Sequence, residues 1–192
     1  MTSSVNDFVM MGTKTNSKES IKYTFTSSVK DGEIKAKNKD GSPNSGLAFT
    51  HTETSVLTRM LKEYMESKFT NISQTDSDVS VEIALTKFDL SHYSADSGGK
   101  QFATSMFGGE TSFLLGAKVI GNIIVNKNGE KLEKKLVASA EDTFVNGVGT
   151  GTSSSNLYKG KDSINHTHAR NINKANNKFL MQVNSFLEEC GL

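Results

Sequence analysis

The apolar run from Thr111 to Val125, with Asn128-Gly129 just after it, constrains the fold of this chain more than any other segment. The run is rich in β-branched residues, which favour strands. Asn-Gly is the preferred pair for a two-residue type I′ hairpin turn, because both positions need a positive φ angle. The sequence therefore predicts a long antiparallel hairpin whose turn is Asn128-Gly129.

The turn also fixes the register of this hairpin, starting from Lys127 opposite Glu130. Further pairs follow: Val125 with Leu132, Gly121 with Leu136, Val119 with Ala138 and Phe113 with Phe144. One face then carries Phe113, Leu115, Ala117, Val119, Ile123, Val125, Leu132, Leu136, Ala138, Ala140 and Phe144, interrupted by Lys134 and Asp142. The other face mixes apolar residues such as Ile120 and Val137 with charged ones. We expect the first face to be buried under a second layer of structure.

Two amphipathic helices are predicted to supply that layer. Apolar residues recur at spacings of three and four in Val56, Leu57, Met60, Leu61, Tyr64 and Met65. Thr50 and Glu53 have the spacing of a capping box at the start of this helix. A second helix is predicted from about Ser163 to Glu189, with an apolar stripe of Ile172, Ala175, Phe179, Leu180, Val183, Phe186 and Leu187 and an Asn-rich polar face.

Shorter patterns predict the remaining elements. Ile21, Tyr23 and Phe25 alternate with polar residues, as in a half-buried strand, and a weak edge strand follows around residues 34–36. Another strand is predicted at about residues 78–93, with a bulge near Thr86-Lys87 because the alternation changes phase there. Residues 146–163 are Gly/Ser-rich and are predicted to form a loop.

These elements predict one α+β domain over residues 1–192, with residues 1–20 as a flexible N-terminal segment. It consists of a mainly antiparallel sheet with a long central hairpin and two amphipathic helices packed on one face. A net charge of +1 argues against a nucleic-acid-binding surface. It also argues against a purely electrostatic attachment to membranes. Cys190 is the single cysteine, so no disulfide can form within the chain.

No catalytic, cofactor-binding or metal-binding constellation is predicted. His166 and His168 are two residues apart at a helix start, where alternate side chains diverge, so we expect them to face solvent or cap the helix. The glycines from Gly147 to Gly151 lack the Gly-Lys-Ser/Thr ending of a phosphate loop. Asp89 and His92 lie close in sequence, but nothing supplies a nucleophile beside them. The sequence therefore predicts a protein that is not an enzyme.

The segment from Gly98 to Gly109 carries the candidate contact site. Phe102, Met106 and Phe107 lie there between two glycine pairs. These side chains either fold back onto the core, as most apolar residues do, or form an exposed apolar tip that contacts a partner or a membrane.

From about residue 50 onwards, the chain resembles the YajG-like family of small bacterial lipoproteins. The resemblance rests on the helix at 54–69, the strand at 79–85, the hairpin around 116–129 and the closing amphipathic helix. The lipopolysaccharide-transport and ABC-transport auxiliary lipoproteins have a similar layout. The resemblance implies a periplasmic protein anchored to a membrane as a lipoprotein, without catalytic residues. No cysteine near Met1 could carry the lipid, so the signal and anchor cysteine are expected outside this chain.

The leading functional hypothesis is a non-enzymatic cell-envelope lipoprotein domain that binds or scaffolds an envelope protein or lipid component. One alternative is a carrier for a small apolar ligand in a groove lined by Met60, Tyr64, Met65 and Phe179. Another is a hydrolase that uses Asp89, His92 and a serine. The mixed hairpin face and the edge strands also leave a homo-oligomer open.

Overall fold

The structure is a computed structural model that describes residues 19–75, 77–94, 109–148 and 154–192. It confirms the predicted α+β class. The elements in chain order are β1 (Ile21–Ser27), β2 (Gly32–Lys37), β3 (Pro43–His51), α1 (Glu53–Lys68), β4 (Val79–Ser94), β5 (Gly109–Lys127), β6 (Glu130–Val148) and α2 (Ser154–Glu189). The strands form one sheet in the order β3-β2-β4-β5-β6, with β1 also paired to β4.

The long hairpin of β5 and β6 has the predicted register throughout. Lys127 pairs with Glu130, Gly121 with Leu136 and Phe113 with Phe144. Asn128 and Gly129 have φ angles of 53° and 80°, as a type I′ turn requires. Turn chemistry has therefore set the side on which every residue of both strands lies.

Both helices pack on the apolar face of this sheet and enclose the core. The buried core joins β4 and hairpin residues to the stripes of both helices, with Leu57, Met65 and Phe179 among its most buried members. A hydrogen bond of 2.7 Å from the Tyr64 hydroxyl to Asn184 Oδ1 links α1 to α2. The opposite face of the sheet has no helix of the described chain packed on it.

The two charged interruptions of the apolar hairpin face are paired with α2. Lys134 Nζ lies 2.8 Å from Glu189 Oε1. Asp142 binds Arg170 at 3.1 Å and Lys174 at 3.0 Å. These contacts hold α2 along β6, although each pair is solvent-exposed enough to contribute little stability.

Side chains of α2 also occupy part of the free edge of β6. Gln182 accepts a hydrogen bond from the Val137 amide at 3.1 Å and donates one to the Val137 carbonyl at 2.9 Å. Lys178 donates to the Ser139 carbonyl at 2.8 Å. Unpaired strand edges invite pairing with another chain, so these contacts close this edge to a second copy at Val137 and Ser139.

A bulge in β4 reverses which residues face the helices. The register with β5 shifts between Leu85 and Lys87, where the sequence predicted it. Before the bulge, Val81 and Ile83 are buried on the helix side; after it, Phe88 and Leu90 are buried instead. A one-residue insertion changes the face of every later residue, and this places Asp89 on the open face.

The structure differs from the sequence prediction around the first helix. Residues 43–51 form β3, which was not predicted, and Thr50 therefore lies in a strand instead of a capping box. The helix begins at Glu53, and Thr52 at its cap position makes no side-chain cap hydrogen bond. Asp31, in the connection between β1 and β2, accepts hydrogen bonds from the Thr54 amide at 2.8 Å and the Ser55 amide at 3.2 Å.

The second helix also begins earlier than predicted. It starts at Ser154, while β6 extends to Val148, so the predicted loop of residues 146–163 was wrong at both ends. The backbone pairing of Gly109 with Val148 and Glu110 with Gly147 continues the hairpin through glycine-containing sequence. Residues 1–18 of the predicted N-terminal segment lie outside the described residues.

Replacing Asp31 with alanine is expected to lower the free energy of unfolding by about 1 kcal/mol, the usual cost of a lost helix cap. The helix would lose the acceptor for two first-turn amides. Urea unfolding followed by circular dichroism measures the change. Glu33→Ala, an exposed site in β2, is the control. An equal loss in both variants would contradict the capping role.

Candidate binding site: the groove on the open face of the sheet

A groove crosses the face of the sheet that lies opposite the helices. It has a volume of about 460 Å³ and runs from the turn between β2 and β3, across β4 and β5, to β6. Its lining includes Lys39, Asp89, Ser91, Tyr93, Gly116 and Lys118. Pockets of this size are in the usual range of ligand sites, ~300–1,000 Å³, and this one is partly open to solvent.

The floor of the groove is made of backbone and small side chains. Ser91 of β4 pairs with Gly116 of β5, and Glu141 of β6 pairs with Gly116 on its other side. A Cβ atom at Gly116 would lie 2.4 Å from Ser91 Oγ. The glycine therefore leaves room for the Ser91 hydroxyl above the main chain of β5, which keeps the floor of the groove low.

The negative charge of Asp89 is balanced within the groove by two lysines. Lys37 of β2 forms an ion pair with one carboxylate oxygen, and Lys87 Nζ lies 2.8 Å from the other. Partial burial raises the pKa of Asp89, but the two lysines outweigh it and the pKa is lowered. Asp89 is therefore an ionised anchor for lysines, and it is unsuited to act as a general acid.

Two further lysines of the groove, Lys39 and Lys118, form no ion pair in the part of the chain that the structure describes. Glu141 accepts a long hydrogen bond of 3.4 Å from the Tyr93 hydroxyl. The groove therefore offers two available cations, one carboxylate, a phenol and hydroxyl groups, which suit the binding of a polar molecule.

The geometry separates the two residues of the hydrolase hypothesis. Asp89 faces the groove, while His92 is buried on the helix side. The His92 ring lies 5.2 Å from the ring of Phe113 and 6.0 Å from that of His168. Burial lowers the pKa of His92. Because the strand places these two side chains on opposite faces, Asp89 cannot orient His92 as a catalytic base.

The histidine pair is also divided by the structure. His166 is exposed, but His168 is fully buried, so the expectation of a solvent-facing or capping residue was wrong for His168. Burial, with a smaller contribution from His92, lowers the pKa of His168 to about 4. No group of three His, Cys, Asp or Glu side chains in the described ranges is placed to hold a metal ion.

His168 is one of several buried polar residues that the sequence did not predict. The buried polar residues are Glu53, His92, Thr167, His168, Asn171, Asn176 and Asn184. Asn171 Nδ2 donates a hydrogen bond of 2.7 Å to the Leu115 carbonyl. The available signal was the helical phase, since His168 and Asn171 lie four residues before Ile172 and Ala175, respectively, of the apolar stripe. The asparagines had been assigned to the polar face.

The groove of the carrier hypothesis is closed. Met60, Tyr64, Met65 and Phe179 are each at most 3% exposed and belong to the packed core. The Tyr64 hydroxyl is tied to Asn184. All four belong to the buried core cluster, so they do not line a cleft.

The predicted contact residues Phe102, Met106 and Phe107 lie outside the described residues, and their role stays a prediction. Among the helices of the described chain, none combines the length and apolar character that crossing a bilayer requires. The open-face groove is therefore the site with the clearest chemistry in the structure.

No family model matches this chain, and no curated protein matches it. Solved structures do show similarity. Rare lipoprotein B from Shewanella oneidensis aligns with 10% identity and a TM-score of 0.45, covering 89% of this chain and 99% of that one. A minor lipoprotein from Acinetobacter baumannii aligns with 10% identity and a TM-score of 0.43, covering 89% and 94%. Identities this low transfer no residue role, and neither name is that of the YajG-like family.

Proposed function

We propose that this chain is a non-enzymatic domain of a bacterial cell-envelope lipoprotein that binds or scaffolds another envelope component. The observation that carries the proposal is the face of the sheet that no described helix covers, with its polar groove. Both helices and the whole core lie on the other side. Among the described residues, the groove combines charged and hydroxyl groups but does not pair a serine hydroxyl group with a base, as nucleophilic catalysis needs.

The envelope assignment is supported by the sequence resemblance to YajG-like lipoproteins. The helix, strand, hairpin and helix that carry that resemblance occur in the structure in the same order. In this proposal the lipid anchor holds the domain at the periplasmic face of a membrane. The groove then presents its lysines and hydroxyl groups to the partner.

The envelope assignment is tested by metabolic labelling of the natural protein in its host with an alkyne analogue of palmitate. We expect label in the protein and recovery of the protein in the membrane fraction. A blocked signal peptidase II should leave the unprocessed form. An unlabelled protein in the cytosolic fraction would contradict the assignment.

Binding through the open face is tested with a photoreactive amino acid at position 139, which is exposed on β6 beside the groove. The matched control is position 62, which is exposed on α1 at the opposite side of the domain. We expect a discrete cross-linked product from position 139 only. A product of twice the chain mass would identify a second copy as the partner. Equal patterns from both positions would argue against the open face.

A further inference from the structure

We infer that the groove on the open face binds an extended, acidic segment of a partner protein. This inference rests on the proposed binding function and names its site and the chemistry of the partner. It is carried by three features of the groove: its length across the strands, its floor of small residues and the separation of its free cations.

The length of the groove matches a short extended peptide. The lining runs from β2 across β4 and β5 to β6, which is three interstrand steps. At ~4.8 Å for each step, the groove spans about 14 Å. An extended chain advances ~3.4 Å per residue, so roughly four residues fill the groove from side to side.

The floor suits a main chain more than a bulky ring system. Gly116 has no side chain, and its neighbours across the strands are Ser91 and Glu141. The Ser91 and Ser139 hydroxyl groups both line the groove. Neither hydroxyl makes a hydrogen bond with another residue in the described ranges. Hydroxyl groups can both donate and accept hydrogen bonds, so they can pair with the amides and carbonyls of a crossing peptide.

The charges of the groove favour acidic side chains on that peptide. Lys37, Lys39, Lys87 and Lys118 lie in or beside the groove, against Asp89 and Glu141. Two of these four lysines thus form no ion pair with a described residue, in a chain whose net charge is only +1. Opposite charges guide association and fix the register of a bound partner.

The spacing of the two free lysines favours separate carboxylates over one phosphate group. Lys118 on β5 pairs in register with Asp89 on β4, and Asp89 contacts Lys37 on β2. Lys39 lies beyond Lys37, in the turn after β2. Lys39 and Lys118 are therefore two strand positions apart across the sheet, about 10 Å. They are also offset along the strands, because Lys37 is in register with Ser91 and Lys118 with Asp89. A phosphate is held by donors that converge on one point, whereas two acidic residues along a peptide can reach both lysines.

The inference is tested by selecting a displayed library of random heptapeptides against the purified chain. We expect enrichment of peptides with two acidic residues separated by one or two small residues. The charge reversals Lys39→Glu and Lys118→Glu should each weaken binding of a selected peptide at least 10-fold in fluorescence anisotropy. Lys62→Glu, on exposed α1, makes the same change in net charge and should leave the affinity within twofold.

Several results would overturn the inference. These are no enrichment, enrichment of basic or purely apolar peptides, or affinities that do not respond to Lys39→Glu and Lys118→Glu in variants whose circular dichroism is unchanged. Inorganic phosphate and phosphatidylglycerol vesicles are tested in parallel. Tighter binding of either one through the same lysines would assign the groove to a phosphate group instead. Palmitate labelling is independent of these measurements, so the envelope assignment fails or survives separately.

Discussion

The Glu53→Gln variant is expected to be more stable than the natural chain at pH 8, by about 4 kcal/mol, and equally stable at pH 4. Glu53 is the first residue of α1 and is only 2% exposed. Burial raises the pKa of its carboxyl group to about 8, Asn176 offsets part of the rise, and Asp31 adds to it. Glutamine keeps the shape of the side chain and removes its ionisation.

The direction of the pH dependence follows from where the proton is held. Below the ordinary pKa of 4.5, Glu53 is protonated in both the folded and unfolded chain. Between pH 4.5 and about 8, the unfolded chain releases the proton while the folded chain keeps it. Stability is therefore lost as the pH rises through this window and levels off above it. The difference between the two proteins isolates this group from all other titrations.

The measurement is urea unfolding of both proteins at pH 4, 6 and 8. Glu63→Gln, at an exposed site on the same helix, is the matched control, and its stability relative to the natural chain should not change with pH.

The contact between Glu53 and Asn176 is not a well-formed hydrogen bond, since Glu53 Oε1 and the Asn176 side-chain amide make no hydrogen bond with described residues. Parallel stability curves for the natural chain and Glu53→Gln would show that the carboxyl group is hydrated or ionised in the folded protein.

The hairpin could be predicted from sequence because its determinants are local. The φ angles at Asn128 and Gly129 depend on the two residue types in the turn. Once the turn is fixed, the alternation of the pleat assigns each later residue to a face. The bulge in β4 was visible for the same reason, because a change of phase appears directly in the order of apolar residues.

The missed features depend on contacts between distant segments. Asp31 caps α1 from another connection, and nothing near Thr50 in sequence indicates this. β3 forms because β2 offers it an edge. Buried Asn171 is stabilised by the Leu115 carbonyl, 56 residues away. Propensity assigns asparagine to surfaces and caps, so tertiary hydrogen bonds reversed the expectation.

Only part of the groove could be predicted from the sequence. The mixed face of the hairpin was predicted, and it does lie opposite the helices. The contribution of β4 depends on the bulge, which turns Asp89, Ser91 and Tyr93 to that face. The contribution of the turn after β2 depends on the parallel pairing of Lys37 with Ser91. This is a long-range contact, and no local sequence pattern predicts it.

The Gly121→Ala variant is expected to lose about 3 kcal/mol of stability, at the upper end for an overpacked core. Gly121 lies on the helix side of β5. A Cβ atom there would be 2.5 Å from the Ala84 carbonyl oxygen and 2.9 Å from Cζ of Phe179. The first neighbour is backbone in the centre of the sheet and the second is a fully buried ring. Neither can move away without disturbing β4 or the packing of α2.

Gly116→Ala is the matched control, in the same strand but on the open face. Its Cβ atom would meet Ser91 Oγ, which can rotate, while the other neighbours are at least 3.5 Å away. Alanine also reduces the freedom of the unfolded chain, so the free energy of unfolding should change by less than ~1 kcal/mol.

The same methyl group at position 116 raises the floor of the groove and should weaken the binding of a selected peptide at least 10-fold. Gly121→Ala should leave that affinity unchanged at temperatures where it is folded. Equal destabilisation by the two substitutions, or unchanged peptide affinity in Gly116→Ala, would contradict this separation of the core face from the binding face.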